Sequence, residues 1–512
     1  MPFIQAKVCL AIVKKTMAFF VLCGRMEKVL QKMEIFFMKK SFLKKFIGDR
    51  AFYKMVLAVA VPIMIQNGIT NLVSLLDNLM VGRIGMEEMS GVAIVNQLIM
   101  VFNLCIFGGV SGAGIFTAQY FGQKDDEGIR NTFRFKLMIT TVITLIAVGI
   151  FLLFDDQLIM LYLNETDTVG SQGDLLATLE FGKIYLKIIL LGLPAFMIQQ
   201  TYSSTLRETG HTVVPMVAGV IAVVVNLVIN ALLIYGIGFF PKLGVAGAAV
   251  GTSISRYVEA AIVIIWAHCH KKKLPYLKGV YRITKLPARL GWKIFVTCIP
   301  LLFNEGMWSA GNAAMLKNYS ERGLSAVAGL NIANTIINLF CVVFLALGMS
   351  VAIVVGKILG SGELEKAKET ATKMIAFSVV SSAVIGVVAF FTARYFPMLY
   401  DATDSAKNIA KELIMVQAVF LPQMAFINAA YFTMRSGGKT LVTFLFDSVF
   451  MWIVSVPLTF ILSKYTNMYV VMIYVAVQLA DIIKTTVGLV LIKKGVWVQN
   501  IVSDKGREEY GN

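Results

Sequence analysis

Long apolar runs alternate with short polar segments along almost the whole chain. A helix that crosses the hydrocarbon of a bilayer needs about 20 consecutive, mostly apolar residues. Twelve runs reach that length, at about 55–78, 91–118, 136–154, 181–203, 213–236, 245–268, 294–316, 326–356, 373–395, 408–433, 441–462 and 468–492. The connections between them are under 30 residues, too short for a folded soluble domain. The pattern therefore predicts an all-α polytopic membrane protein with twelve transmembrane helices. A membrane β-barrel would instead read as short alternating segments with a polar lumen face, which this pattern excludes.

Composition sharpens the picture. Of 512 residues, 57% are hydrophobic and 15% charged, against about 25% charged in an ordinary soluble domain. A soluble enzyme, a disordered chain and a disulfide scaffold are all excluded. The net charge of +17 does not point to nucleic acid, because the basic residues sit between the apolar runs and not on one folded face. Most of the 47 Lys and Arg fall on the side that holds both termini and the even-to-odd loops. The loop at 154–180 carries Asp155, Asp156, Glu165, Asp167, Asp174 and Glu180 with no Lys or Arg, whereas the loop at 269–293 carries eight basic residues and no acid. The positive-inside rule then places the chain in the cell membrane with both termini cytoplasmic. The six cysteines have no close metal-type spacing and read as small buried hydrophobes.

The first 54 residues hold twelve Lys/Arg and several short apolar stretches. They lack the single apolar region and small-residue cleavage site of a signal peptide. An interfacial amphipathic segment fits this composition. So does a start at Met38, in MKKSFLKKF, with the 37 residues before it an extension.

The chain repeats itself. At an offset of 238, Pro62 meets Pro300, Gly91 meets Gly329, Asn96 meets Asn334 and Gly122 meets Gly360. At an offset of 228, TLRETGHT at 205–212 lies over TMRSGGKT at 433–440, matching Thr205/Thr433, Arg207/Arg435, Gly210/Gly438 and Thr212/Thr440. Two six-helix units follow, 55–268 and 294–492, joined by a basic linker at 269–293 and followed by a tail at 493–512. An even number of crossings starts both units on one side, so the repeats are parallel. Transporters use this symmetry with a site between the halves.

Several segments resemble one family. VPIMIQNGITNLVSLLDNLMVGRIG, TAQYFGQKDDEGIRNT, TLRETGHTVVP and LGVAGAAVGTSIS in the first half, with IPLLFNEGMW and TMRSGGKT in the second, are similar to the multidrug and toxic compound extrusion (MATE) transporters. The resemblance runs in order from about residue 50 to 500. It implies two six-helix lobes around a central cleft. It also implies a non-enzymatic antiporter that exports cationic amphipathic drugs or other organic cations in exchange for Na⁺ or H⁺. No cofactor beyond the coupling ion, small-molecule substrates as partners and a monomeric state go with that reading. The alternative on the same fold is a flippase or exporter of a lipid-linked or other endogenous precursor, which needs a basic cavity. A channel or receptor fits a two-lobe repeat less well, and no phosphate-binding G-x-x-x-x-G-K-[ST] loop supports an ATP-driven pump.

Acids at lipid depth are costly and mark function by default. Asp77 follows the apolar run of the first span in LLDNLMVG. Asn226 and Asn230 stand one helical turn apart on the fifth span, and Thr252 lies on the sixth. The resemblance implies that these four form a polar cluster in the N-terminal lobe. Some members carry an Asp where Asn230 stands, so this cluster has one acid fewer. Glu305 lies mid-span in IPLLFNEGMW, and its repeat counterpart is Asn67. A charge that breaks the repeat is not required by packing. The resemblance implies Na⁺ coordination at Glu305 or Asp77, and a partner Asp in the tenth span of some members is Met424 here. Gln66, Asn67 and Asn428 are candidate cleft lining. Arg256 with Glu259, and Asp481 with Lys484, read as structural pairs three residues apart. His268-Cys269-His270 reads as a solvated helix end.

Overall fold

The structure is a computed structural model that describes residues 45–82, 84–163, 172–282, 286–400 and 402–503. The N-terminal residues through 44, with Met38, and the tail from 504 lie outside the described residues, as do Glu165 and Asp167 of the acidic loop. The body formed by Lys54–Asn512 consists of helices joined by turns and short loops, with no strand among its described residues.

The first lobe contains α1 (Arg50–Gly82), α2 (Met86–Gln123), α3 (Asp126–Leu153), α4 (Gln172–Glu208), α5 (Val213–Tyr235) and α6 (Val245–Cys269). The second contains α7 (Ala288–Ser320), α8 (Leu324–Gly360), α9 (Leu364–Thr392), α10 (Asp404–Ser436), α11 (Thr440–Tyr465) and α12 (Val470–Lys494). Eleven of these are long and apolar enough to cross a membrane. The remaining helix is α7, whose 33 residues would span about 50 Å at 1.5 Å each. Asn304, Glu305, Asn312 and Lys317 dilute its apolar run.

Most helices outrun the apolar segments that predict them. The run at 91–118, for example, sits inside Met86–Gln123. Polar residues at the ends continue the helix past the hydrocarbon until a turn signal stops it. At the start of α3, the Asp125 carboxylate caps the backbone N–H groups of Glu127 and Gly128. This satisfies donors that have no partner within the helix. The repeat is visible in the placement of proline: Pro62 and Pro300 lie inside α1 and α7, and Pro194 and Pro422 inside α4 and α10.

Each lobe has its own core. One is built on Val95, Ile106, Leu186 and Ala249, the other on Leu330, Ala333, Leu413 and Ile473. A third apolar cluster joins the lobes. It gathers Phe116, Phe133 and Leu206 of the first lobe, Ile294 and Cys298 of α7, Tyr276 and Val280 of the linker, and Ile501 and Val502 of the tail.

The basic linker is thus not simply a solvated loop. Arg130 donates to the Tyr276 carbonyl at 3.1 Å, and Arg134 to the carbonyls of Gly279 and Val280 at 2.8 and 3.2 Å. Two cations of α3 hold the linker against the lobe, while its apolar side chains fill the shared core. Burial of the Tyr276 ring pushes its phenol up to about 12, so it stays neutral at physiological pH.

Where α2, α8 and α10 end, backbones approach closely. A Cβ on Gly360 would collide with the carbonyl of Gln119, and one on Gly122 with that of Lys357. The tail docks at the same place. The Gln119 amide donates to the carbonyls of Ser436 and Gln499 at 3.0 and 3.2 Å and accepts from the Ile501 amide at 2.9 Å. Asn500 donates to the Gly360 carbonyl at 3.1 Å, and Lys293 to that of Ile501 at 2.8 Å. Trp497 is 1% exposed. The tail therefore ties α2 to α7, α8 and α10 across the lobe boundary.

Candidate functional site

Asp77, Asn226, Asn230 and Thr252 come together from three helices. The Asn230 amide donates to Asp77 Oδ1 at 2.9 Å and to Asn226 Oδ1 at 3.3 Å. The Asn226 amide donates to Thr252 Oγ1 at 3.3 Å. The one-turn spacing on α5 puts both amides on the face turned toward α1 and α6. Glycine makes the approach possible, since a Cβ on Gly251 of α6 would collide with Asn230 Oδ1. Asn230 is 1% exposed, and that oxygen accepts no hydrogen bond. The cluster therefore offers a carboxylate and an open amide oxygen, both ligands for a hard cation. Tyr185 of α4 joins the edge, reaching Thr252 and donating to Asn96 Oδ1 at 3.3 Å.

In the second lobe, Glu305 sits mid-helix on α7 and makes no hydrogen bond or ion pair among the described residues. Its electrostatic neighbours are Arg435 of α10 and Asp447 of α11. Position 424, Met here, sits beside the Gln417 amide. The acid facing Glu305 is thus Asp447, one helix away from the position that the resemblance singled out.

Asp447 lies in Leu445–Val449, a π-turn inside α11 that is followed by a second at Met451–Ser455. A π-turn carries an extra residue per turn and re-aims the side chains around it. Asn304, the neighbour of Glu305, donates to Asp447 Oδ2 at 3.2 Å, while Ser448 donates to the Asn304 side chain and carbonyl at 2.8 and 2.9 Å. The Lys484 ammonium lies 2.5 Å from Asp447 Oδ1. This corrects the expected pairing of Asp481 with Lys484 along α12. A lysine 8% exposed is better compensated by an acid it can reach head-on across a helix interface than by one on its own helix. Arg256 and Glu259 do pair as expected, at 3.5 Å.

The sequence model of the MatE family matches residues 62–232 and 300–461, one match in each repeat. The chain belongs to the MatE family. It is therefore a multi-pass membrane protein of the multidrug efflux transporter class. It is 26% identical over 467 residues to the probable multidrug resistance protein NorM of Thermotoga maritima, covering 89% of this chain and 95% of the relative. It is 23% identical over 418 residues to the probable multidrug resistance protein YoeA of Bacillus subtilis, covering 81% and 88%. Among solved structures it resembles that of a point mutant of the Vibrio cholerae MATE transporter VcmN. The TM-score is 0.78 at 16% identity, over 88% of this chain and 98% of that one.

Between the lobes of this MatE chain lies a cavity partly open to solvent. Its walls include Phe107 and Val110 of α2, Gln200 and Arg207 of α4, Met349 of α8 and Arg435 of α10. Gln66, Asn67 and Asn428 are not among the residues that line it. Gln66 stands one layer behind, accepting from Arg207 at 3.2 Å. Asn428 Oδ1 is buried without a partner, beside Gly348.

Lys136 and Glu208 were not singled out by the sequence. They form a buried pair at 2.5 Å beside this cavity, Lys136 being 0% exposed. Ser204 and Thr205 take the other two ammonium donors at 3.1 and 3.2 Å. A signal was available, because Glu208 meets Ser436 across the repeat, a charge break of the kind that marked Glu305. His268 and His270, at the end of α6, each place Nδ1 against the carbonyl one turn back, at 3.0 and 2.9 Å.

Proposed function

We propose that this MatE protein is a secondary active antiporter. It exports amphipathic organic cations in exchange for Na⁺ or H⁺ by alternating access, with both termini cytoplasmic. Asp77 and Glu305 are its ion-coupling acids, one per lobe. The observation that carries the reading is the state of these two acids. Each lies within a membrane-spanning helix, and neither has a basic partner in an ion pair among the described residues. Asp77 is held by one amide at 2.9 Å. Of the other acids on these helices, Glu208, Glu259 and Asp447 are instead compensated by Lys136, Arg256 and Lys484, and Asp481 of α12, unpaired once Lys484 turns to Asp447, keeps that lysine on its own helix as an electrostatic neighbour. An uncompensated acid at that depth has its charge satisfied only by what it binds.

The energetics fit this arrangement. With the cytoplasm negative, moving one positive charge outward costs about 2.3 kcal/mol per 100 mV, and a Na⁺ or H⁺ moving inward supplies it. Ion and substrate compete for the same acids. A neutralised acid releases the organic cation, and a free acid recruits it. The names of the NorM and YoeA relatives support a drug-like cargo. A flippase for a lipid-linked or acidic precursor is the second reading, favoured by the two arginines on the cavity wall.

The test is efflux of a fluorescent cation from proteoliposomes under an imposed Na⁺ or H⁺ gradient, each alone. One of the two gradients is expected to drive dye against its own gradient. Dye movement that ignores both would overturn the antiport reading.

A further inference from the structure

The geometry points to an oxyanion subsite in the cavity between the lobes, formed by Arg207 and Arg435. It would take the carboxylate, sulfonate or phosphate end of an amphipathic molecule. The inference rests on the reading that this cavity lies on the export route, and it adds the charge class that the cavity itself selects.

The two arginines are the same residue of the two repeats, in TLRETGHT and TMRSGGKT. They stand in the last turns of α4 and α10 and line one cavity. The acid in the same wall, Glu208, is taken up by Lys136 at 2.5 Å. The wall is therefore cationic.

Arg435 supplies the sharper observation. It is 3% exposed, yet its Nη1 has no hydrogen-bond partner. Phe107, Tyr431 and Phe432 surround the guanidinium at 5.6, 6.0 and 5.4 Å. Ring faces temper its charge, and the Tyr431 hydroxyl bonds the guanidinium but leaves Nη1 open. Glu305 acts on it electrostatically without bonding to it. Buried donors in proteins are nearly always satisfied, and this one is left open on a residue of the cavity wall. A guanidinium fork matches the paired oxygens of an oxyanion. Arg207 spends one bond on the neutral Gln66 amide at 3.2 Å and pairs with no acid in an ion pair among the described residues, with Glu208 and Glu259 as its electrostatic neighbours. Apolar walls at Ile63, Val110, Met349 and Ile353 suit the body of the same molecule.

The test uses the full chain in phosphatidylcholine nanodiscs and two dyes that differ at one group. Rhodamine 110 carries a free carboxylate, and rhodamine 123 is its methyl ester. Equilibrium binding by fluorescence anisotropy is expected to favour the carboxylate by about tenfold, the scale of a charged hydrogen bond. Arg435→Gln should reduce that preference to within about twofold while the ester still binds. Arg207→Gln should weaken it in the same direction and serves if the first variant elutes as aggregate. Equal binding of the two dyes by the wild type, or a preference that survives both substitutions, would overturn the subsite.

Nanodiscs with added phosphatidylglycerol separate two sources of the oxyanion. Unchanged dye affinity assigns the subsite to a solute, and competition assigns it to a lipid headgroup; either outcome supports it. Because binding is read without any gradient, failure here leaves ion-driven export standing. Failed efflux with the preference intact would instead overturn the transport reading alone.

Discussion

Glu305→Gln is the most telling single change in the chain. Glutamine keeps the shape and can accept hydrogen bonds but cannot ionise. The purified variant is expected to fold, to bind dye and to lose gradient-driven efflux; unchanged efflux between pH 6 and 8 would remove Glu305 from the mechanism. At the other acid, Asp77→Asn should abolish ion-driven efflux without harming insertion, because removing a charge lowers the cost of entering the membrane. Asn226→Ala and Asn230→Ala should each cost less, about 0.6–2 kcal/mol of local hydrogen bonding. Dye export by cells at matched protein levels gives the order, and a silent Asp77→Asn would make that residue a mere helix end.

Lys136 tests a different kind of residue. Removing one partner of a buried pair strands the other, at about 3–5 kcal/mol. Lys136→Met should therefore lower the melting temperature sharply, and adding Glu208→Met should recover most of it. Asp77 and Glu305 were legible in the sequence for one reason: a charge inside an apolar run has no cheap structural explanation. Lys136 and Glu208 were less legible because one opens the apolar run at 136–154 and the other lies past the run at 181–203, where a charge is ordinary. The partnership of Asp447 with Lys484 was out of reach, since it depends on how α11 faces α12.

At the scale of elements, the apolar runs locate every span because only a long apolar helix satisfies its backbone inside lipid. Helix ends are a different matter. They depend on caps and on neighbours past the hydrocarbon, so the runs fall short of the helices they predict. The π-turns of α11 left no pattern in its apolar run, although they place Asp447 against Asn304. The docking of the tail and linker was also hidden, because a charged segment reads as solvated until a core appears beneath it.

Gly360 gives this scale its test. Gly360→Val would drive a side chain into the Gln119 backbone and part α2 from α8 where Asn500 anchors the tail. The variant is expected to melt earlier in detergent and to lose residues beyond 494 to protease faster than the wild type. An unchanged melting curve and cleavage rate would mean that the close crossing holds nothing together.

For the whole molecule, two parallel lobes each carry one candidate coupling acid, and a cavity between them carries two repeat-related arginines. The repeat in the sequence predicted the lobes, because matched Pro, Gly and Arg residues keep their order through both halves. It also brought Arg207 and Arg435 together on paper, but not their cavity, which exists only once α4 and α10 meet across the boundary. If ion and substrate share these acids, coupling must run in both directions, because linkage between two binding events is reciprocal. The direct measurement is made in proteoliposomes with no ion gradient and a steep dye gradient, following Na⁺ by isotope and H⁺ by an internal pH probe. The account predicts that dye moving down its gradient drives one of the two ions in the opposite direction, and that Glu305→Gln abolishes that movement. Dye flux with neither ion moving would contradict it.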